Sequence, residues 1–267
     1  MTKRFGFTLA EVLITLGIIG VVAAMTIPTL VKNYQKTIWV NQLKKDVSTI
    51  ENGFRKMMAD DEVQLIQDTT LYNLFQLSNG WNSIIFNEEC GNMLDRENEE
   101  MVDKCIAQKN TLKKYFNIVN DTLEPKDENG KFISNEIRFF GYHYKYLDGT
   151  VETDESADCP KFYLADGSII SAYFFKSSNI EPNKRVAYIR IDVNGDKLPN
   201  QWGRDTFSFL LLNNGQLIPR FSKKALEAAN EPYWNDSSAP YYAKCTNDSI
   251  GNGCAARIIE NGWKMDY

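Results

Sequence analysis

Residues 3–31 read KRFGFTLAEVLITLGIIGVVAAMTIPTLV. No charged side chain occurs from Val12 to Val31. As an α-helix this run is about 30 Å long, which is enough to cross the hydrocarbon core of a bilayer. Lys3 and Arg4 precede it, and a positive flank keeps its end of the chain cytoplasmic. The stretch therefore predicts one membrane-spanning helix that begins on the cytoplasmic side.

Glu11 is the one carboxylate inside this apolar zone, one turn after Phe7. A lone carboxylate at membrane depth is costly and needs a partner. The free amine of a neighbouring subunit would serve. Such an amine exists only if the chain is cut just before Phe7.

The sequence GFTLAEVLI, from Gly6 to Ile14, resembles the type III signal of type IV prepilins and pseudopilins. In that family a membrane peptidase cuts after the glycine, the new N-terminal phenylalanine is methylated, and the glutamate four residues later is used for assembly. The resemblance implies cleavage between Gly6 and Phe7, N-methylation of Phe7 and an assembly role for Glu11. Pro28 lies where many pilins carry a helix-kinking proline, and a kink or local unwinding is expected there.

Three other interpretations compete for the same stretch. An ordinary secretory signal peptide, cleaved near Val22-Ala23-Ala24, explains the basic flank and the apolar run, but the run is long for that purpose. A plain signal anchor is the second interpretation, and both leave Glu11 unexplained. A buried core helix, the third, does not need such a continuous apolar length. The prepilin interpretation accounts for all the features together.

The helix is expected to continue beyond the membrane to about Met58. Apolar side chains recur there every three or four residues, at Trp39, Leu43, Val47, Ile50, Phe54 and Met57. This spacing predicts an amphipathic helix that packs on a sheet. Lys44, Lys45, Asp46 and Glu51 are expected on its other faces. The predicted divisions are a leader at 1–6, a transmembrane and assembly half at 7–31, an amphipathic half at 32–58 and a globular head at 59–267.

The head is predicted to hold a helical insertion followed by an antiparallel sheet. A loop and short helix are expected within 60–80, a second helix over 97–116 and a surface connection over 121–130. Strands are expected over 138–147 and 185–193. Two hairpins are predicted: 161–164 with 168–175 around Ala165-Asp166-Gly167, and 206–212 with 216–219 around Asn213-Asn214-Gly215. This order of elements predicts an α+β fold of pilin-like architecture, in which the long N-terminal helix packs on the sheet.

Five cysteines are present and none forms a CxxC pair, which disfavours a zinc ribbon or a thioredoxin-like motif. Cleavage at Gly6 would place the head in an oxidising compartment, where disulfides form. We expect Cys245 and Cys254 to pair, because Gly251 and Gly253 between them allow a tight loop. Cys90 and Cys105 are the next candidate pair, which leaves Cys159. The alternative is that one or more of these thiols are reduced core cysteines.

A calcium site is predicted in the loop after the 185–193 strand. Calcium takes six to eight oxygen ligands, and the loop offers side-chain oxygens from Asp192, Asn194, Asp196, Asn200 and Asp205. Some pseudopilins use calcium in a loop of the head, and this stretch looks similar to such a loop. It begins like an EF-hand loop but lacks the later glutamate and the flanking helices. The alternative is an ordinary tight turn, since Asp, Asn and Gly also stabilise turns through their own backbone.

The composition narrows the function. Aromatic residues make up 12% of the chain and favour a β-rich portion, and a net charge of -5 disfavours a dedicated nucleic-acid binder. The single histidine, His143, and scattered carboxylates such as Asp166 and Asp192 form no recognisable catalytic set. We therefore expect a non-enzymatic subunit that requires no cofactor, with calcium as the one candidate ligand.

The resemblance implies assembly into a type IV pilus, a type II secretion pseudopilus or a DNA-uptake filament. The expected partners are a prepilin peptidase, other pilin-like subunits, an assembly platform and the membrane, with nucleic acid reached only indirectly. The expected location is the bacterial cytoplasmic membrane, with one span and an extracytoplasmic head, and then the filament or cell surface. The alternative is a membrane-anchored extracytoplasmic binding module that uses a pilin-type leader.

Overall fold

The computed structural model describes residues 8–74, 107, 110–121, 144–151, 162–174, 183–222, 224–225, 245–246 and 248–267. Helix α1 (Leu9–Asp60) is 52 residues long and opens the chain. The chain divides into two compact units, residues 1–38 and 39–267. The first unit contains the N-terminal part of α1, and the second contains the rest of α1 and the sheet.

Within the described part of the chain, the sheet has six antiparallel strands in simple sequence order. The strands are β1 (Ile118–Asp121), β2 (Phe162–Leu164), β3 (Ile169–Phe174), β4 (Arg185–Asp192), β5 (Thr206–Leu212) and β6 (Leu217–Pro219). Each strand pairs with the one before it. The long helix and this sheet confirm the predicted α+β pilin-like fold. Both predicted hairpins, β2–β3 and β5–β6, are present.

One face of the sheet and the buried stripe of α1 share a single core. Because side chains alternate along a strand, Ile189 of β4 lies beside Ala172 of β3 and Phe209 of β5 on the same face. These residues cluster with Leu43 and Phe54 of α1. The predicted amphipathic helix therefore packs on the sheet as expected.

Two acidic residues of α1 are less exposed than expected from their charge. Asp46 was expected on an outer face but is fully buried, because it continues the stripe of Leu43 and Ile50 at helical spacing. Glu51 is only partly exposed, since its carboxylate accepts a hydrogen bond from the backbone N–H of Leu217 at 2.9 Å. The periodicity of the apolar residues was predicted correctly, but the placement of these two acidic side chains was wrong.

Several short elements complete the head. A single 3-10 turn (Ile66–Asp68) precedes α2 (Thr70–Leu74), where the sequence predicted a loop and short helix. Residues 110–115 are helical, at the end of the predicted 97–116 helix. Strand β1 and the C-terminal helix α3 (Cys254–Glu260) were not predicted. Most of the predicted 138–147 strand lies outside the described residues.

Candidate functional site: the N-terminal helix and the β4–β5 loop

Helix α1 begins with a capping box. The side-chain carboxylate of Glu11 accepts hydrogen bonds from the backbone N–H of Thr8 at 2.8 Å and from its hydroxyl at 2.7 Å. The Thr8 hydroxyl in turn accepts from the backbone N–H of Glu11 at 3.3 Å. These bonds satisfy groups that a helix start leaves without partners. The pattern Thr8-x-x-Glu11 was present in the sequence, but it was not used in the prediction.

The predicted cleavage residues, Gly6 and Phe7, lie outside the described residues. Glu11 lies one turn beyond them and is solvent-exposed. Its carboxylate binds Thr8, the first described residue of the chain, at the start of its own helix. Both bonds from Thr8 go to the same carboxylate oxygen, Oε2, so they occupy one of the two oxygens of Glu11.

The side chains in the apolar part of α1 are exposed. Helix Leu9–Asp60 is long and apolar enough to cross a membrane, and none of its most apolar window is buried within the chain. Leu13, Ile18, Met25 and Leu30 are all at least 60% exposed. A surface of this kind marks contact with a membrane or with other proteins.

Two threonine hydroxyls inside this apolar run form hydrogen bonds within the helix. The hydroxyl of Thr15 donates to the carbonyl oxygen of Glu11, and that of Thr26 donates to the carbonyl of Val22, both at 2.9 Å. A membrane-spanning helix needs such internal bonds because lipid offers none. Helix α1 remains helical through Pro28, so the expected local unwinding does not occur there.

The predicted calcium residues lie in and beside the loop that joins β4 to β5. Asp192 ends β4 and accepts a hydrogen bond from the hydroxyl of Tyr144 at 3.0 Å. Asp205 accepts from the backbone N–H groups of Asn200 at 2.9 Å and Gln201 at 2.6 Å. Burial raises the pKa of Asp205 to about 6, although these two backbone bonds act to lower it. The loop is thus bound together by its own carboxylates.

The remaining predicted ligands also have hydrogen-bond partners within the head. Asp196 accepts from the hydroxyl of Tyr163 at 3.3 Å. The side-chain amide of Asn194 donates to the carbonyl of Lys197 at 2.8 Å, while its oxygen is buried without a hydrogen-bond partner among the described residues. Within that part of the chain, no group of three or more His, Cys, Asp or Glu side chains could hold a metal ion. The calcium site stays a prediction.

A disulfide packs against Gly203 of the β4–β5 loop. Cys245 and Cys254 are bonded and fully buried, as the sequence favoured. Gly203 has φ +74°, and a Cβ there would lie 2.6 Å from the Sγ of Cys254. The hydroxyl of Tyr267 donates to the carbonyl of Gly203 at 2.7 Å. The second candidate pair, Cys90 and Cys105, lies outside the described residues, as does Cys159.

The comparisons with known proteins agree with these features. Residues 1–27 match the prokaryotic N-terminal methylation motif. Residues 102–267 match a family described as a family of unknown function (DUF6613). No curated protein and no solved structure matches the chain.

The methylation motif, the exposed apolar helix and the α+β head define a pilin-like, single-pass membrane protein with a prepilin-type signal. By the match over most of its head, the chain belongs to the DUF6613 family. Proteins with this signal are structural subunits that a prepilin peptidase processes.

Proposed function

We propose that this protein is a subunit of a type IV pilus, a type II secretion pseudopilus or a DNA-uptake filament. Cleavage after Gly6 frees the amine of Phe7, which is then methylated. The head faces the extracytoplasmic side, and the apolar part of α1 stores the subunit in the membrane. In the filament these helices bundle, and Glu11 binds the Phe7 amine of a neighbouring subunit. Its activity is assembly, on a platform in the cytoplasmic membrane, rather than catalysis.

The exposed apolar part of α1 carries this proposal. Large apolar side chains that stay exposed over several turns of a helix are unfavourable in water. We therefore expect lipid or other helices to cover this part of α1. Glu11 is the one charge on that surface between Leu9 and Val31. In a low-dielectric bundle it gains most from an ammonium partner, because an unpaired charge there is costly.

Substitution of Glu11 tests the proposal. Glu11→Leu removes both the charge and the capping bond, whereas Glu11→Gln keeps a side chain that can still cap Thr8. We expect both variants to be processed and inserted normally. Filament incorporation should fall by about tenfold or more, because the Phe7 amine of the neighbouring subunit is left as an unpaired charge in a low-dielectric site. The measurement is the amount of processed subunit in sheared filaments from the native host, relative to the membrane fraction.

Three results would argue against the proposal. Wild-type incorporation of Glu11→Leu would remove the assembly role of Glu11. Loss of incorporation in Glu11→Leu but not in Glu11→Gln would assign Glu11 to helix capping alone. Isolated wild-type monomers in the membrane, with no lattice by electron microscopy, would favour the membrane-anchored binding module instead.

A further inference from the structure

Two aspartates, one buried in α1 and one in the exposed turn between β2 and β3, lie on either side of the contact between helix and turn. Asp46 of α1 is fully buried, and Asp166 belongs to the turn. The side-chain amide nitrogen of Gln42 lies 2.8 Å from a carboxyl oxygen of each aspartate. The hydroxyl of Ser168, which is also fully buried, contacts both carboxyl groups. The two acids are thus held together across the contact between helix and turn.

The two contacts of the Ser168 hydroxyl favour an additional proton on one of the two aspartates. A serine hydroxyl carries one hydrogen, yet its oxygen lies 2.8 Å from Asp166 and 3.3 Å from Asp46. The shorter contact takes the hydroxyl hydrogen, because the backbone N–H of Ser168 also donates to Asp166 and orients it. The contact with Asp46 is then a hydrogen bond only if Asp46 is protonated and donates to the Ser168 oxygen.

The surrounding charges also place the proton on Asp46. The ammonium group of Lys45 lies 2.8 Å from Asp166 and neutralises it. Asp46 has no such cation at hydrogen-bonding distance among the described residues, and its second oxygen has no hydrogen-bond partner there. An ionised carboxylate in this position would be buried next to a like charge, which is costly.

We propose that Asp46, Ser168 and Asp166 form a proton-operated latch between α1 and the β2–β3 turn. With the proton on Asp46, a chain of bonds runs from Asp46 to Ser168 to Asp166 and keeps the turn docked. When the proton leaves to solvent, two carboxylates face each other across the contact and the docking weakens. This latch belongs to the head and does not depend on how the subunit assembles.

The direction of the pH effect follows from the two carboxyl groups. Burial, and next the charge of Asp166, raise the pKa of Asp46 to about 8. Partial burial acts to raise the pKa of Asp166, but the Lys45 salt bridge and the bonds from Ser168 and Gln42 outweigh it and lower the pKa to about 2. The stabilisation from Asp46 is complete below its ordinary pKa of about 3.9 and is lost as the pH rises through its folded value.

Carboxyl-carbon NMR of the full-length protein in detergent micelles tests the latch. The Asp46 resonance, assigned by its loss in Asp46→Asn, is expected to titrate at least two pH units above the ordinary value of about 3.9. The backbone amide resonance of Gly167 is expected to follow the same titration, since it reports on the turn. An Asp46 midpoint less than two units above that value would overturn the proposal.

Two variants separate the latch from simple burial. Asp166→Asn removes the like charge and is expected to lower the Asp46 midpoint, whereas the exposed Asp148→Asn is expected to leave it unchanged. Between about pH 6.5 and pH 9, above the titration of Asp205, the melting temperature of wild type should fall while that of Asp46→Asn stays level. An unchanged midpoint in Asp166→Asn, or parallel pH profiles for wild type and Asp46→Asn, would contradict the latch.

Discussion

Single residues decide how tightly α1 meets the head, and Gly53 shows this most directly. Gly53 is buried near the C-terminal end of α1. A Cβ at this position would overlap the ring of Phe116, which packs edge-on against Phe54 with ring centroids 5.0 Å apart. The absence of a side chain at Gly53 is therefore what allows Phe116 to reach the helix.

Gly53→Ala is expected to destabilise the head. Alanine is favoured over glycine in a helix by about 1 kcal/mol, so helix propensity alone predicts a gain. Overpacking a filled core costs about 1–3 kcal/mol. Because the Phe116 ring already occupies the space that the alanine methyl group would need, we expect this cost to exceed the gain in helix propensity. The measurement is the free energy of unfolding in denaturant, for wild type and the variant under the same conditions.

A double-mutant cycle with Phe116→Leu provides the control. If the overlap with the ring causes the loss, the cost of Gly53→Ala should largely disappear when Phe116 is already leucine. An increase in stability for Gly53→Ala alone, or the same loss in both backgrounds, would show that the packing of Phe116 does not set the choice of glycine.

The same scale shows where sequence reasoning ended. The spacing of Leu43, Ile50 and Phe54 was enough to predict the buried stripe of α1, because helical periodicity is local information. Helical spacing also puts Asp46 in line with this stripe, but its charge favoured an outer face. Its partners Asp166 and Ser168 lie far along the chain, and only the fold brings them to the helix.

At the scale of elements, local turn chemistry predicted the hairpins well. Asp166-Gly167 and Asn214-Gly215 stand between strands that pair as expected, and both glycines have positive φ. Strand β1 and helix α3 are only 4 and 7 residues long, which is too short for a periodic pattern to stand out. Their positions depend on packing against the rest of the head.

The β4–β5 loop carries the calcium prediction. If calcium binds only the folded protein, it should stabilise the head by mass action, by about 2.7 kcal/mol when its concentration is one hundred times the dissociation constant. We expect a higher melting temperature in millimolar-scale calcium, a range typical of extracellular sites, than in a chelator. Asp196→Ala should abolish the increase.

Asp248→Ala is a suitable comparison, because Asp248 is an exposed aspartate outside this loop. Its loss should leave the response to calcium intact. Equal melting temperatures with calcium and with chelator would leave the loop as a turn held by Asp205 and its own backbone. Loss of the response in Asp248→Ala as well would indicate a non-specific effect of charge.

For the whole molecule, the decisive prediction concerns the mature N-terminus. The methylation motif over residues 1–27 predicts that the chain isolated from its host begins at Phe7 and carries one methyl group on its amine. Intact-mass and N-terminal peptide mass spectrometry measure this directly. The processed chain is expected to lack residues 1–6.

Gly6→Leu is the matched change, since it alters the residue before the cut and leaves α1 intact. This variant should accumulate as the full precursor in the membrane. A wild-type chain that starts at Met1, or near Met25, would be incompatible with prepilin processing and would point to an anchor or a secretory signal.

At this scale the sequence was enough to identify the prepilin-type signal, which the methylation motif over residues 1–27 confirms, but not a function of the head. The apolar run, Glu11 and the Gly6-Phe7 junction lie close together in the chain, so their chemistry can be recognised without a fold. The acidic pair and the disulfide-supported loop combine residues that are far apart in sequence. Their geometry follows only from the complete sheet and its contact with α1.

The order of the strands has a kinetic consequence. From β2 to β6, each strand pairs with the one synthesised just before it, and the buried stripe of α1 is made earlier still. Contacts that close short loops lose little chain entropy before they form, so topologies of this kind fold quickly. Among the described strands, β2 to β6 can therefore pair one after another as the chain emerges, whereas β1 must wait for the more distant β2.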